Sequence, residues 1–551
     1  MNMNLLVKQL SMMQKVFPHT APQADWQPQE IFANETLSFQ LAWYLDEDLA
    51  MQDEFMQVQV SGALAGSTSV YAVQLVPCEL PCYDGDDCAL RREAGLFPDV
   101  LQPLEEEKVF LVGRQWRSLW FEVDAAQATG AQTLRVTLTL QDGTCTVQEF
   151  AFTVLAQQLP PMPIPITQWM HYDCIAEYYG VQPMSAAHWT LVWPYVAQAV
   201  RHGLNMLLVP LVTPPLDTLP GRERPTVQLV DVTCTGGDYT FGFDKLEAFL
   251  KNATACGVQY FEMTPLFTQW GAQHAPKVMA TVEGKYKRIF GWETASDGAA
   301  YTAFLQALLP ALSQKLTAWG YKGRCWFHIS DEPQKPEHYI YYLKASALIR
   351  ACLPGWPVMD TVGSMEFYQT KSVDCAIAGS DVYDEIAAAG ATGLWAYYCC
   401  AQYKNVANHY LACPPWRTRI LGAQMYRTGA QGFLHWGYNF WNSKYSARRI
   451  QPYAVTDGGA AFPGGDPFVV YPGANGAPVA SIRQKLLRQA MYDYRTLLLA
   501  EENVGKNALC VLLDAYGVHN FHLPSSGWNA ADMRRKVNEL AKKPLNQTNK
   551  N

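Results

Sequence analysis

Through the first 158 residues, apolar and polar positions alternate with a period of two. The segments ETLSFQLAWYL, FMQVQVSGAL, SVYAVQLVPC, WRSLWFEVDA, TLRVTLTLQDG and CTVQEFAFTVL each follow this pattern between Gly, Asp and Asn turn signals. A period of two is that of a strand with one face in a core, so residues 1–158 are predicted to form an antiparallel β-sandwich. LPPMPIPIT follows at 159–167, with four prolines in nine residues, and predicts a stiff, extended linker.

Beyond the linker, short apolar runs alternate with helical periods. Eight candidate strands stand in order: ITQWMHYD (166–173), NMLLVPL (205–211), VQYFEMTPL (258–266), RCWFHISD (324–331), PVMDTV (357–362), CAIAGSD (375–381), GLWAYYC (393–399) and GFLHWGYN (432–439). Amphipathic stretches such as FDKLEAFLKNATACG, YTAFLQALLPALSQKLTAWG and HYIYYLKASALIRACL lie between them. Gly257, Gly320 and Gly355 follow those stretches where a left-handed cap belongs. With SIRQKLLRQAMYDYRTLLLAEENV as the closing helix, the pattern predicts a (β/α)8 barrel over 168–505, irregular after its fifth and sixth strands. Residues 506–551 form a C-terminal extension whose polar end, KKPLNQTNKN, is expected to be partly loose.

Composition narrows the function. The chain has 551 residues, with 42 Lys and Arg against 50 Asp and Glu, a formal charge of −8. That balance argues against nucleic-acid binding, which needs a basic face. The 17 Trp, 29 Tyr and 23 Phe suit a protein that stacks sugar rings. The start, MNMNLLVKQLSMMQKVFPHT, is interrupted by Lys8, Gln9, Gln14 and Lys15, unlike a secretory signal, and no run approaches ~20 apolar residues. A cytoplasmic location without membrane attachment is expected, with the 14 cysteines reduced. Cys78, Cys82 and Cys88 lack a second ligand pair at finger-like spacing, so neither metal nor cofactor is expected.

In a barrel of this kind, functional side chains sit where strands give way to the following loops. Those positions hold a polar, aromatic set: His171 and Asp173 at the end of the first strand, Glu262 in the third, and His328, Asp331 and Glu332 at the fourth. The later strands add Asp360, then Asp381 and Tyr383, then Trp395 and Tyr397, then Trp436 and Asn439. Asp331-Glu332-Pro333 is the sharpest of these features, standing between an apolar strand and a helix. Proline is expected to restrain Glu332 to extended geometry at the mouth; the competing reading is a helix cap with an acidic first turn.

Adjacent acids constrain the chemistry. Retaining glycosidases place two carboxyls ~5–5.5 Å apart and inverting ones ~6.5–9.5 Å, on opposite sides of the scissile bond. Neighbours in sequence work side by side more readily, if the nucleophile is the substrate's own acetamido oxygen. Glu332 would then be the general acid and base, and Asp331 would hold the acetamido N–H and stabilise the charge of the oxazoline.

HISDEP, GLWAYYCC, RTRILGAQMYRTGAQGFLHWGYNFW, YPG and SIRQKLLRQAMYDY resemble glycoside hydrolase family 123 and its relatives once grouped as domain of unknown function 4091. FTQWGAQHAPK (267–277) and FGWET resemble it too. The resemblance implies a β-sandwich ahead of a (β/α)8 barrel, and an exo-acting β-N-acetylgalactosaminidase using substrate-assisted retention, with Asp331 as stabiliser and Glu332 as acid/base. It also implies sugar contacts from Trp395, Tyr397, Trp436 and Asn439, with Tyr383 and Trp270 as further matches. The expected partner is an oligosaccharide or glycoside, and a homo-oligomer is compatible with the sequence. Three rivals stand beside this reading. One is a glycosidase of other sugar specificity pairing Glu332 with Asp360, Asp381 or Glu262. The second is a catalytically inactive carbohydrate-binding protein. The third is a metal-dependent hydrolase built on His171, Asp173 and His328.

Overall fold

The computed structural model describes residues 4–46, 54–125, 128–333 and 335–542. The polar tail from 543 onward, expected to be loose, lies outside them. The chain divides into two compact units, one of residues 1–162, 407–428 and 479–551, the other of 163–406 and 429–478.

In the first unit the alternating segments form two five-stranded sheets. One runs in the order Leu5–Ser11, Thr36–Leu45, Trp116–Asp124, Thr68–Cys78, Gly95–Pro103. The other runs Gln29–Phe32, Cys145–Leu155, Gly130–Leu140, Phe55–Ser61, Lys108–Phe110. All neighbouring strands are antiparallel except Gln29–Phe32, which runs parallel to Cys145–Leu155. The inward positions supply the core, where Phe39 stacks on Phe121 at 5.0 Å and on Phe150 at 4.1 Å. Residues 407–428 and 479–505, which the helical period groups with the barrel, fall in this unit. The physical reason is a set of buried ion pairs. Arg417 meets Asp86 at 2.8 Å, Arg483 meets Asp99 at 2.9 Å and Lys485 meets Glu122 at 2.7 Å. A charge buried in this way is stable only with its partner present, so these helices are bound to the carboxylates they face.

The second unit holds a closed barrel of eight parallel strands: Ile166–Gln168, Met206–Val209, Tyr260–Met263, Cys325–His328, Val358–Val362, Cys375–Gly379, Trp395–Tyr397 and Phe433–His435, the last pairing with the first. Met206, Leu208, Met359, Ile377, Trp395 and Leu434 fill the interior. The strands are shorter than the apolar runs that predict them. The first run reaches residue 173, yet its ladder ends at Gln168; the His171 N–H instead bonds the Asn439 side chain at 2.8 Å, and Tyr172 opens a helix. Helices Asp244–Ala255, Ala299–Ala318 and Pro336–Cys352 sit where the periodicity places them, and Gly257, Gly320 and Gly355 follow them with φ of 102°, 80° and 77°. After the fifth and sixth strands only Met365–Gln369 and Tyr383–Ala388 are helical. The loops after the second and third strands carry a four-stranded sheet ordered Asp238–Gly242, Asp231–Thr235, Val278–Val282, Lys285–Phe290, which the apolar pattern does not foretell. No helix among the described residues is long and apolar enough to cross a membrane.

Candidate active site

Asp331 and Glu332 lie between the fourth barrel strand and helix Pro336–Cys352. Neighbouring loops fix their backbone. Trp270 donates its N–H to the Asp331 carbonyl at 2.8 Å, the Glu332 N–H goes to Thr361 Oγ1 at 2.9 Å, and Ser330 Oγ donates to the Thr268 carbonyl at 2.7 Å. The helix is capped at Lys335, so the two acids are not its cap. Glu332 is not extended, as its proline neighbour leads one to expect. Its φ is 42°, in the left-handed region, where the bonds to Thr361 and Tyr397 hold it against the local preference.

Both acids line one cavity of about 510 Å³, together with Trp169, Trp270, Tyr397 and Trp436. Tyr397 donates its hydroxyl to Glu332 Oε1 at 3.0 Å, and the Cys399 thiol stands 4.0 Å from the same oxygen. Burial, then the negative charge of Glu332, holds the Tyr397 phenol far above its ordinary range, so it remains a donor. Burial also raises the Asp331 carboxyl well above the ordinary range, with Glu332 adding to the shift and His328 opposing it. The two acids therefore keep a proton between them much more readily than isolated carboxyls do.

Beneath the pair lies a fully buried charge cluster. His328 sits between Glu262 Oε1 at 2.7 Å and Asp360 Oδ1 at 3.1 Å. Burial alone would lower its imidazole, but Asp360 and Glu262 outweigh that and raise it to about 10. Asp360 also accepts from the N–H groups of Ser330 and Thr361 and from the Tyr342 hydroxyl, while Glu262 accepts from Trp169 Nε1. This cluster orients the strand end from which Asp331 projects.

The expected sugar contacts separate into groups. Trp270, Tyr397 and Trp436 line the cavity with the acids. Glu262, His328 and Asp360 lie buried below it, with no exposed surface. His171 and Asp173 are taken up by Arg224, whose guanidinium reaches Asp173 at 2.6 and 2.7 Å and His171 Nδ1 at 3.1 Å. Because Arg224 can only donate, Nδ1 accepts and Nε2 donates to the Trp436 carbonyl at 2.9 Å. Burial, then Arg224, lowers the His171 imidazole to about 3, so it is neutral. Asn439 is buried and spent on the backbone of His171. Trp395 packs inside the barrel against Trp326 at 5.7 Å, across Gly432, where a Cβ would fall 2.2 Å from the indole. Tyr383 is buried at the start of its short helix, and Asp381 is exposed, bonded to Gln402 at 3.3 Å. Arg224, Asp466, Asp217 and Gln269 carry local architecture that the strand-end rule does not reach, since all four lie in loops away from strand ends.

Trp436 is fixed as a wall of the cavity by Asp466, whose Oδ2 accepts the indole N–H at 3.0 Å, and by Phe440 and Phe462 at 5.0 and 5.2 Å. A hydrogen bond to a charged group contributes about 1.5–3 kcal/mol. Asp466→Ala should therefore raise KM roughly tenfold or more and leave kcat less affected. Steady-state kinetics on an aryl glycoside check this, and an unchanged KM would remove Trp436 from the binding wall.

Among the described residues, His328, Asp331 and Asp360 present ligand atoms within 4.8 Å of one another, a spacing a metal could span. The donor set does not fit one. Both nitrogens of His328 face carboxylates, and as an imidazolium it has no lone pair to give. His171 and Asp173, the other histidine-carboxylate set considered, are occupied by Arg224.

A model of the glycoside hydrolase 123 catalytic domain matches residues 169–500. A family 123 glycoside hydrolase from Clostridium perfringens, studied for glycolipid glycan hydrolysis, has a similar fold. Its TM-score is 0.73 at 11% identity, covering 98% of this chain and 97% of that one. A β-glucuronidase from Parabacteroides merdae matches at a TM-score of 0.32 and 9% identity, over 88% of this chain and 52% of that one. A comparison with curated protein sequences finds no match.

Proposed function

The chain belongs to glycoside hydrolase family 123, and from that premise we propose that it releases terminal β-linked N-acetylgalactosamine from glycans by substrate participation. The relative from Clostridium perfringens acts on glycolipid glycans, and sugar-capped glycans of that class are the proposed substrates. The observation that carries the reading is the placement of Asp331 and Glu332, consecutive in sequence, in the wall of one cavity. The protein nucleophiles considered from the sequence are poorly placed by contrast. Asp360 accepts five hydrogen bonds or ion-pair contacts at full burial, Glu262 is buried with it, and Asp381 is not in the cavity wall.

In the first step the acetamido oxygen attacks C1 as the C1–O bond to the leaving group breaks. Glu332 delivers its proton to the departing oxygen, and Asp331 accepts the acetamido N–H and faces the positive charge of the oxazolinium ion. A donor arriving at Asp331 favours its ionised form, which hands the shared proton to Glu332 at the moment an acid is needed. In the second step Glu332 takes a proton from water, the water oxygen attacks C1, and the ring opens with the original configuration restored. Tyr397, bonded to Glu332, keeps that carboxyl aimed at the bond.

An aryl β-N-acetylgalactosaminide should be cleaved at least ~10³-fold faster than the matching galactoside, because the galactoside lacks the intramolecular nucleophile. A thiazoline mimic of the bicyclic intermediate should inhibit tightly. Equal rates on the two sugars, or a covalent sugar ester on the protein, would overturn the reading.

A further inference from the structure

We propose that Asp217 and Gln269 form a hydroxyl-reading pair that sets which sugar the cavity accepts, an inference that rests on the glycosidase reading above. Both line the cavity that holds Asp331 and Glu332. The Asp217 N–H donates to Gln269 Oε1 at 2.6 Å, which pins the amide beside the carboxyl. Only half of each side chain is then used. Gln269 is 4% exposed, and its Nε2 is buried without a partner among the described residues. Asp217 Oδ2 accepts the Tyr445 N–H at 2.8 Å, and no hydrogen bond reaches Oδ1 among the described residues. A buried amide NH2 left unpaired carries a desolvation cost that a fitting ligand removes.

The chemistry of the vacant positions identifies that ligand. A donor stands next to an acceptor, and a sugar hydroxyl is both, so adjacent hydroxyls on one ring satisfy the amide and the carboxylate together. Trp270 and Tyr445 stand beside the pair, their rings 5.6 Å apart at 81°, and present apolar surface to the C–H face of a sugar. Asp217, Trp270 and Tyr445 have φ of 40°, 61° and 62°, so three residues of this wall, each from a different loop, are held in the left-handed region. Such strain persists where surrounding bonds over-determine it, and it gathers at ligand clamps. Burial raises the Asp217 carboxyl to about 6, against the pull of the Tyr445 N–H and of Arg224, which leaves it ionised and accepting at neutral pH.

The test uses the full chain, two conservative variants and a panel of aryl β-N-acetylgalactosaminides lacking the 3-, 4- or 6-hydroxyl. Asp217→Asn keeps an acceptor for Tyr445 and turns the free oxygen into a donor; Gln269→Glu keeps the bond to the Asp217 N–H and removes the free donor. Each variant should lower kcat/KM on the parent glycoside about 10–100-fold, and that loss should vanish on one deoxy substrate, which identifies the hydroxyl read. An equal loss on every deoxy substrate would make the pair a loop fastener and overturn the proposal, as would no loss at all. A loss near 10⁴-fold in Asp217→Asn with a sugar ester at residue 217 in the native chain would make Asp217 a nucleophile instead. A native chain that cleaves none of the acetamido panel would overturn the sugar assignment itself, an outcome distinct from the others.

Discussion

Glu332→Gln should lose about 10²–10⁴-fold in kcat/KM on glycosides with alkyl leaving groups, the range a positioned general acid supplies. The glutamine is isosteric and can still accept the Tyr397 hydroxyl, so the loss reads the missing proton and not a collapsed wall. The effect should depend on the leaving group. A dinitrophenolate departs without protonation, so its glycoside should keep a near-native first step, and a plot of log rate against leaving-group pKa should steepen in the variant. The second step loses its base in the same change, and the oxazoline should then accumulate. Azide needs no deprotonation, so added azide should restore turnover and yield the β-glycosyl azide, retention being fixed by the bicyclic intermediate. A variant equally slow with every leaving group, or one that azide does not rescue, would place the acid elsewhere.

The order of strands and helices was legible because it depends on short-range periodicity. A period of two over 1–158 and alternating periods beyond 166 needed no knowledge of distant contacts. The acid pair was legible for a similar reason, since DEP stands between a strand and a helix and its neighbours in sequence are its neighbours at the mouth. What sequence did not disclose depends on long-range pairing. Arg224 takes Asp173 from 51 positions away, and nothing around either residue marks the other. Trp395 and Asn439 occupy the strand ends where sugar contacts are expected. Gly432 lets the indole sink into the barrel, and the backbone of His171 takes up the amide. Glu332 is left-handed because three tertiary partners outweigh one proline. The helix within 479–505 follows a barrel-like period, but its Arg483 and Lys485 find Asp99 and Glu122 of the sandwich, and it falls in the same unit as they do.

His328→Gln should destabilise the fold by about 3–5 kcal/mol, because removing one member of a buried charge set leaves Glu262 and Asp360 facing each other without a cation. The wild-type protein carries the same information in its pH dependence. Burial lowers this imidazole, but the two carboxylates raise it to about 10 in the folded state, above the ordinary 6.5. The folded state thus binds the proton more tightly, so the contribution of His328 is full below about pH 6.5 and is lost as pH rises toward 10. His171 has the opposite sign. Burial and Arg224 hold it near 3 when folded, so its contribution is full above about 6.5 and is lost as pH falls toward 3. Together they place a stability maximum near pH 6.5, and denaturant unfolding across pH 4–9 should show the alkaline fall flattened in His328→Gln and the acid fall retained. Should the variant not fold, imidazole titration by NMR in the native chain decides the point: the His328 ring should stay protonated at pH 8. A ring that is neutral there would mean that the cluster beneath Asp331 lacks its one positive charge, and Asp360 would hold the strand end through Ser330, Thr361 and Tyr342 without it.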